Sequence, residues 1–201
     1  HGAIVHYSAD EKSNVPLKEG KLFMTDTGGH YLEGSTDITR TVALGEVGNI
    51  EKEHFTLVAR AMLRLANTVF LYGCSGANLD CIAREVFWKE GLNFNHGTGH
   101  GVGYLLNIHE GPINFRWKEG ERPAPALEEN MVITDEPGIY IEGSHGIRLE
   151  NELLVRKTVK NEYGQFMNFE ILTYVPIDLD AILPEKMSTE EKEMLNHYHK
   201  Q

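Results

Sequence analysis

Six stretches of the chain are rich in β-branched residues or alternate between apolar and polar positions, which is typical of β-strands. Glycine, asparagine or charged turns separate them. The predicted strands cover residues 2–7, 21–27, 37–44, 131–141, 147–156 and 166–175. The fourth and fifth strands follow each other closely enough to form a hairpin.

Two segments between the early and late strands have the spacing of apolar residues that predicts amphipathic helices. The longer segment covers residues 50–71, and Asn49 is its expected N-cap. The shorter segment covers residues 79–90, with Asn78 as the expected N-cap and Gly91 as the stop. We therefore expect a pair of helices between two groups of strands.

A third helix is predicted near the C-terminus, where Ser188 and Glu191 have the spacing of a capping box. Strands, two helices and then further strands indicate an α+β fold with a largely antiparallel sheet. With 201 residues, the chain is long enough for one well-buried core and too short for two ordinary domains.

Charge and composition narrow the classes of function. The chain has 30 acidic and 19 basic residues, and its net charge of -11 is spread along the sequence, which argues against nucleic acid as a partner. Its two cysteines lack the spacing of paired metal ligands. Neither a membrane-spanning apolar run nor a signal-peptide pattern occurs, so we expect no membrane association and a cytoplasmic location.

Four carboxylates end or line predicted strands. Asp26 follows an apolar run and Asp37 opens the next strand, so a short loop would let the two face one another. Glu136 lies between an apolar strand and a Pro-Gly turn, while alternation puts Glu150 on the same strand face as Arg148. Taken singly, each could be a solvated residue at a strand end, and Arg148 with Glu150 could be a simple ion pair.

Histidines gather in a glycine-rich segment, residues 96–103, which contains His96 and His100. His109 follows shortly afterwards, ahead of a predicted Gly-Pro turn. Glycines let the backbone and an imidazole approach a ligand closely. A lone histidine is more often structural than a ligand, but this clustering favours His100 as a ligand.

Four carboxylates in one cavity would repel each other strongly without cations, so the pattern predicts two divalent metal ions. Oxygen donors with one imidazole and no thiolate favour Mn²⁺, with Co²⁺ or Zn²⁺ able to substitute. Two such ions can hold and ionise a bridging water and polarise a carbonyl group. The predicted reaction class is therefore metal-assisted amide hydrolysis.

These residues resemble those of the pita-bread metallopeptidases, the family of methionine aminopeptidase, prolidase and aminopeptidase P, whose site is Asp, Asp, His, Glu, Glu in that order. The motifs are most similar to those of the long cytosolic aminopeptidase P group: TDITRT at 36–41, HGTGHGVG at 96–103, NIHEGP at 107–112 and TDEPGIY at 134–140. The resemblance implies the pita-bread fold, a curved, largely antiparallel sheet with flanking helices.

The resemblance also implies a role for each predicted metal ligand. Asp26 would chelate one ion, and Asp37 and Glu150 would bridge both. His100 and Glu136 would complete the shell of the second ion. Glu136 would in addition relay a proton during hydrolysis.

Three further histidines match the non-ligand active-site histidines of the family. His6 and His96 would flank the proline ring of the substrate, and His109 would help to stabilise the tetrahedral intermediate. Arg148 would either orient the substrate or neutralise Glu150.

The implied enzyme hydrolyses the bond between an N-terminal residue and a following proline. Its partners would be peptides with proline at the second position, and the full-length protein would be a homodimer. Residues 1–175 are expected to form an N-terminally incomplete catalytic domain, and residues 176–201 a C-terminal extension packed on it. Three alternatives stay open: a prolidase that cleaves only dipeptides, a non-catalytic pita-bread binding module, and a creatinase-like hydrolase without metal.

Overall fold

A computed structural model describes residues 2–105, 107–118 and 123–201. The helices are α1 (Asn49–Ala66), α2 (Gly76–Lys89) and α3 (Thr189–Tyr198), with short 3₁₀ turns at Leu179–Ala181 and Pro184–Lys186. The strands are β1 (Lys21–His30), β2 (Ser35–Leu44), β3 (Phe70–Leu71), β4 (Gly99–Val102), β5 (His109–Phe115), β6 (Val132–Asp135), β7 (Gly138–Tyr140), β8 (Gly146–Arg148), β9 (Asn151–Asn161) and β10 (Gly164–Ile171). None of the helices in these ranges is long and apolar enough to cross a membrane.

The main sheet has six strands in the order β3-β10-β9-β6-β4-β5, and β1–β2 and β7–β8 form two separate pairs. Every described pairing is antiparallel. Helix α1 packs against β6, β7, β8 and β10, and α2 packs against α1 and β5. The α+β fold with an antiparallel sheet is therefore confirmed.

The apolar side of α1 forms the centre of the core. Its fully buried side chains meet those of the sheet, and this cluster includes Phe55, Val58, Met62, Leu65, Ile133, Ile147 and Leu153. Each large apolar side chain removed from water contributes roughly 1.5–3 kcal/mol. This packing fixes the strands whose ends carry the predicted ligands.

The N-terminal segment differs from its prediction as a strand. Residues 2–7 form bends and irregular structure, with Gly2 in the left-handed region at φ 72°. Ile4 N donates to Gly2 O at 2.8 Å, and Val5 O accepts a hydrogen bond from Arg148 at 3.1 Å. The backbone of this segment thus binds a side chain rather than a neighbouring strand, and the prediction of a strand is wrong.

Both helices of the predicted pair form, but their boundaries differ from the predictions. The N-caps are Gly48 and Ser75 rather than Asn49 and Asn78. Asn78 belongs instead to a capping box, since its Oδ1 accepts from Ser75 N at 2.8 Å. Helix α1 stops at Ala66, short of residue 71, because the following residues pair with β10 as β3.

Two of the long predicted strands are interrupted. The segment 131–141 divides into β6 and β7 around Glu136 and Pro137, and proline cannot donate to a sheet ladder. The segment 147–156 divides into β8 and β9, where Glu150 N donates to Thr39 O at 3.0 Å. The hairpin-like relationship is confirmed because β7 pairs with β8 and β6 pairs with β9. The last strand, β10, ends at Ile171 rather than at residue 175.

The glycine-rich segment contains strand β4, which the sequence did not reveal as a strand. A Cβ atom at Gly99 would collide with the carbonyl oxygen of Thr134, and one at Gly101 with that of Glu110. These glycines therefore let β4 fit closely between β5 and β6. His109 and the Gly-Pro pair after it lie within β5, not ahead of a turn.

The C-terminal helix forms as predicted. Ser188 N donates to Glu191 Oε2 at 2.8 Å, and Glu191 N donates to Ser188 Oγ at 3.1 Å. Leu195 and Tyr198 are buried, and α3 packs against α1. The residues after β10 are thereby folded back onto the body of the molecule.

Candidate metal centre

The β1–β2 hairpin places two of the predicted ligands on one face. Gly28 pairs with Asp37 and Asp26 pairs with Thr39, so both carboxylates project to the same side. Asp37 is buried, whereas the side chain of Asp26 is 44% exposed and lies within β1 rather than at its end. The prediction that the two aspartates face one another is supported by this register, and the prediction that Asp26 lies at the end of its strand is wrong.

His100 lies at the centre of the site because β4 pairs with β5 and β6 on its two sides. Its Nδ1 is 3.0 Å from Gly101 O, the contact that a donating Nδ1–H makes. Its Nε2 then faces two carboxylates, at 3.4 Å from Asp37 Oδ2 and 3.3 Å from Glu136 Oε1. A backbone carbonyl on one nitrogen is the usual way to orient the other nitrogen toward a metal.

Glu136 and Glu150 occupy the two strand interruptions. Burial raises the pKa of Glu136 to about 6, even though His100 and Arg148 favour its charged form. Burial, followed by the charges of Glu136 and Asp37, raises the pKa of Glu150 well above its usual range. Glu150 accepts from Thr39 Oγ1 at 2.7 Å through Oε2. These carboxylates therefore share a site that disfavours negative charge unless a cation is added.

Three of the five predicted ligands form a compact group. Asp37, His100 and Glu150 each offer one donor atom, and these atoms all lie within 4.8 Å of one another. Glu136 adjoins the group through its 3.3 Å contact with His100. The donor set, with buried carboxylate oxygens, one oriented imidazole nitrogen and no thiolate, fits divalent metal ions.

Asp26 is held by Arg148 beside this group. Arg148 Nη2 is 2.6 Å from Asp26 Oδ2, and Arg148 Nε is 4.0 Å from Glu136 Oε2. Among the described residues, no ion pair joins Arg148 to Glu150, so the alternative of a simple pair between those two is wrong. Arg148 also donates to Tyr140 Oη at 2.8 Å, and its side chain is 2% exposed.

The three predicted active-site histidines lie in different environments, and His109 adjoins the group directly. The His109 ring lies 4.0 Å from that of His100, and burial followed by the charge of His100 lowers its pKa. The charge of His6, an exposed residue, lowers it further. Burial lowers the pKa of His96 to about 4, so His96 is neutral at physiological pH. Its buried Nε2 has no hydrogen-bond partner within the described parts of the chain.

Sequence reasoning missed the polar residues that fix these groups. Thr39 Oγ1 donates to Glu150 and accepts from Arg148 Nε at 3.2 Å. Thr134 Oγ1 accepts from His100 N at 3.0 Å and lies 3.2 Å from Glu136 Oε1. Both threonines lie in the motifs with the predicted ligands, and alternation along β2 puts Thr39 on the face of Asp37. That alternation is the sequence feature from which the position of Thr39 beside Asp37 could have been predicted.

A buried ion pair on α2 supports the His96 segment. Arg84 Nε is 2.7 Å from Asp80 Oδ2, and Arg84 Nη2 donates to His96 O at 2.6 Å. Thr98 Oγ1 donates to Asp80, and Thr98 O accepts from Glu136 N at 2.7 Å. This chain of contacts links α2 to the metal centre.

A cleft of about 410 Å³ opens beside the metal centre along β5. His100 and His109 line one part of it, and Ala77, Asn114 and Arg116 are also among its lining residues. His100 is thus the predicted ligand that borders this open space.

Comparison with sequence families gives two matches. The sequence model of metallopeptidase family M24 matches residues 1–157, and that of the C-terminal region of peptidase M24 matches residues 165–201. A probable Xaa-Pro aminopeptidase P of Aspergillus flavus is 39% identical over 100% of the chain. Aminopeptidase P1 of Lotus japonicus is 40% identical over 99% of the chain. The chain spans 31% and 30% of the length of these two relatives.

Solved structures support the same relationship. The X-prolyl aminopeptidase of Caenorhabditis elegans, described as a cytosolic enzyme with a di-nuclear active site, matches 100% of the chain with a TM-score of 0.92 and 38% identity, and 32% of its own chain is covered. A Xaa-Pro dipeptidase of Bacillus anthracis matches 89% of the chain with a TM-score of 0.69 and 34% identity, over 45% of its own chain. The pita-bread fold is confirmed by these neighbours.

Proposed function

The chain belongs to metallopeptidase family M24, and from this membership we propose that it is the catalytic part of an enzyme that releases an N-terminal residue preceding proline. The names of its relatives support this activity over 99–100% of the chain. The observation that carries the proposal is the group formed by Asp37, His100 and Glu150, whose donor atoms lie within 4.8 Å of one another.

Two divalent metal ions would be held by five residues: Asp26, Asp37, His100, Glu136 and Glu150. Asp26 can take part while it keeps its ion pair, because Arg148 engages only Oδ2 among the described contacts. The oxygen-rich donor set favours Mn²⁺, and Co²⁺ or Zn²⁺ could substitute. When bound, such ions supply Lewis acidity at the scissile carbonyl and lower the pKa of water.

The side chains around this set would orient the substrate and move its protons. Glu136 is placed to carry a proton, because its Oε1 lies beside His100 Nε2 at 3.3 Å and Thr134 Oγ1 at 3.2 Å. His109 lies beside His100 on the exposed side of the site, where it could donate to a carbonyl oxygen that gains negative charge. Arg148, fixed by Asp26 and Tyr140, would orient the peptide.

Recognition of proline requires a surface that packs against its ring. Because proline has no amide hydrogen, the site needs no hydrogen-bond acceptor at that position. His96 supports this role because it is neutral and packs against the Tyr140 ring at 5.4 Å. His6 would face the ring from the other side. The substrates would be peptides with proline at the second position, and their later residues would follow the cleft along β5.

A prolidase is the second candidate, since a named Xaa-Pro dipeptidase has the same fold over 89% of the chain. The cleft beside His100 and His109 favours the aminopeptidase, because a strict dipeptidase has no use for space beyond proline. The complete set of donor residues disfavours both a non-catalytic binding module and a metal-free hydrolase.

The cytosolic location stated for the Caenorhabditis elegans enzyme supports a cytoplasmic location for this protein. Homodimer formation by a longer protein, and the division into residues 1–175 and 176–201, stay predictions. The family matches to residues 1–157 and 165–201 support two parts with a boundary somewhat earlier than residue 175.

The test is hydrolysis of an Xaa-Pro-Xaa tripeptide by the purified chain after chelation and again after addition of Mn²⁺. Asp37→Ala should abolish metal-dependent release of the first residue, whereas the exposed Asp180→Ala should retain it. Cleavage that survives chelation would contradict the metal-dependent mechanism. A folded chain that binds no divalent metal would overturn the proposal altogether.

A further inference from the structure

The C-terminal helix reaches the metal centre through one hydroxyl group. Tyr198, on the last turn of α3, is 5% exposed. Its Oη accepts from Arg40 Nη2 at 2.5 Å and from Val175 N at 3.1 Å, and it donates to Val175 O at 2.8 Å. A phenol offers one donor and two acceptor positions, so these three contacts use its full capacity.

Arg40 carries this contact onward to a predicted ligand. Its Nη1 donates to the backbone oxygen of Glu150 at 2.5 Å and to that of Thr39 at 2.8 Å. Its Nη2 also donates to Asn151 Oδ1 at 2.8 Å, and its Nε donates to Val175 O at 2.9 Å. The guanidinium is buried and its donors are all engaged, so its planar geometry fixes these groups relative to one another.

Two of the backbone oxygens that Arg40 holds, those of Thr39 and Glu150, belong to residues of the metal centre. Thr39 Oγ1 donates to Glu150 Oε2 at 2.7 Å, and Glu150 N donates to Thr39 O at 3.0 Å. Glu150 lies in the interruption between β8 and β9, where no strand ladder fixes its backbone. The position of its carboxylate therefore depends on Thr39 and Arg40.

A second connection runs from the residues after β10 to Asp37. Glu152 N donates to Thr173 Oγ1 at 2.9 Å, and Leu172 N donates to Glu152 O at 2.9 Å. The side chain of Glu152 then accepts from Asp37 N at 2.8 Å through Oε1. Both carboxylates proposed to bridge the ions are thus supported by the segment 172–198.

We propose that Tyr198 is a positioning residue for the metal centre and that, through Arg40, it sets the geometry of Glu150 for binding two metal ions. This inference rests on the proposed function, since it requires the group of Asp37, His100 and Glu150 to hold metal. The C-terminal segment then serves metal binding as well as folding. Removing partners that orient metal ligands typically costs 10- to 100-fold in metal affinity.

The experiment compares Mn²⁺ binding by the wild-type chain and by Tyr198→Phe, using calorimetric titration and the electron paramagnetic resonance signal of coupled Mn²⁺ ions. Tyr198→Phe should bind the more weakly held ion at least about tenfold less tightly and lose part of the coupled signal. Tyr72→Phe is the matched control, because it removes a hydroxyl bonded to Glu128 at 2.6 Å on the surface. It should bind Mn²⁺ as the wild type does.

Leu195→Ala separates the hydroxyl from the docking of α3, because it removes buried apolar contact on the same helix and leaves Tyr198 in place. It should lower the melting temperature while Mn²⁺ affinity stays at the wild-type value. Equal loss of affinity in Leu195→Ala and Tyr198→Phe would overturn the positioning role, as would unchanged affinity in Tyr198→Phe. A wild-type chain that binds no metal would overturn the proposed function together with this inference.

Discussion

Arg148 and Asp26 form an ion pair at 2.6 Å in which the arginine side chain is 2% exposed and the aspartate side chain is 44% exposed. The guanidinium thus approaches the metal centre from inside the protein, and the carboxylate faces the solvent side. Because Arg148 also donates to Val5 O and Tyr140 Oη, one side chain connects the N-terminal segment, β1 and β7.

Arg148→Lys should lower kcat/KM for an Xaa-Pro-Xaa tripeptide by roughly 10- to 100-fold, the equivalent of one charge-assisted hydrogen bond. A lysine ammonium cannot reproduce the planar set of donors that holds both Asp26 and Tyr140. Arg156→Lys is the control, because Arg156 pairs with Glu170 on the surface at 3.0 Å. If both variants keep wild-type kcat/KM, Arg148 does not orient the substrate.

Two largely buried carboxylates, Glu136 and Glu152, should each lower the stability of the metal-free chain as the pH rises from about 4.5 to 7. Burial raises the pKa of Glu136 from 4.5 to about 6 and that of Glu152 from 4.5 to about 7. At these two carboxylates the folded state binds more protons than the unfolded state within this window, so their contribution favours unfolding as those protons leave. His96, whose pKa burial lowers from 6.5 to about 4, contributes in the opposite direction. Urea titrations of the chelated chain across this pH range measure the effect.

Glu136→Gln should flatten that pH dependence, and the exposed Glu193→Gln should leave it unchanged. Saturating Mn²⁺ should reverse the loss of stability that these carboxylates cause as the pH rises, because metal replaces their protons and stabilises the folded state by mass action. A pH dependence that is the same in the wild type and in Glu136→Gln would contradict the assigned direction of the Glu136 pKa shift.

The sequence was sufficient for the three helices and the residue types of the site, but not for the N-terminal segment, strand β4 or the local geometry of the site. The clustering of carboxylates and the family resemblance of the motifs predicted that Asp37, His100 and Glu150 share one site. The strand interruptions at Glu136 and Glu150 could not be predicted, because they depend on hydrogen bonds to Thr98 and Thr39 from distant strands. The role of Arg40 could not be predicted for the same reason, since all of its described side-chain partners except Thr39 lie more than 100 positions away.

Gly101→Ala should weaken both the fold and metal binding. The added Cβ would collide with the carbonyl oxygen of Glu110 on β5, so β4 and β5 must move apart next to His100. Overpacking of this kind costs about 1–3 kcal/mol, and the shift should misplace the His100 imidazole. Thermal unfolding and Mn²⁺ titration measure the two effects. A variant with wild-type stability and affinity would show that β4 and β5 can relax without moving the ligand.

Ala77→Trp should distinguish an aminopeptidase from a dipeptidase, because Ala77 lines the cleft that continues from His100 and His109. A large ring at this position, near the start of α2, would occupy space that residues after proline need. We expect KM for tripeptides and longer peptides to rise by about tenfold or more, since the substrate loses its contacts in the cleft while the reacting bond stays accessible.

An Xaa-Pro dipeptide serves as the internal control, and its hydrolysis, where present, should not change. If the wild-type chain cleaves only the dipeptide, the cleft does not receive substrate and the prolidase alternative is correct. If the variant loses activity equally on all peptide lengths, Ala77→Trp has disturbed the metal centre itself, and a parallel Mn²⁺ titration will detect this as lost affinity.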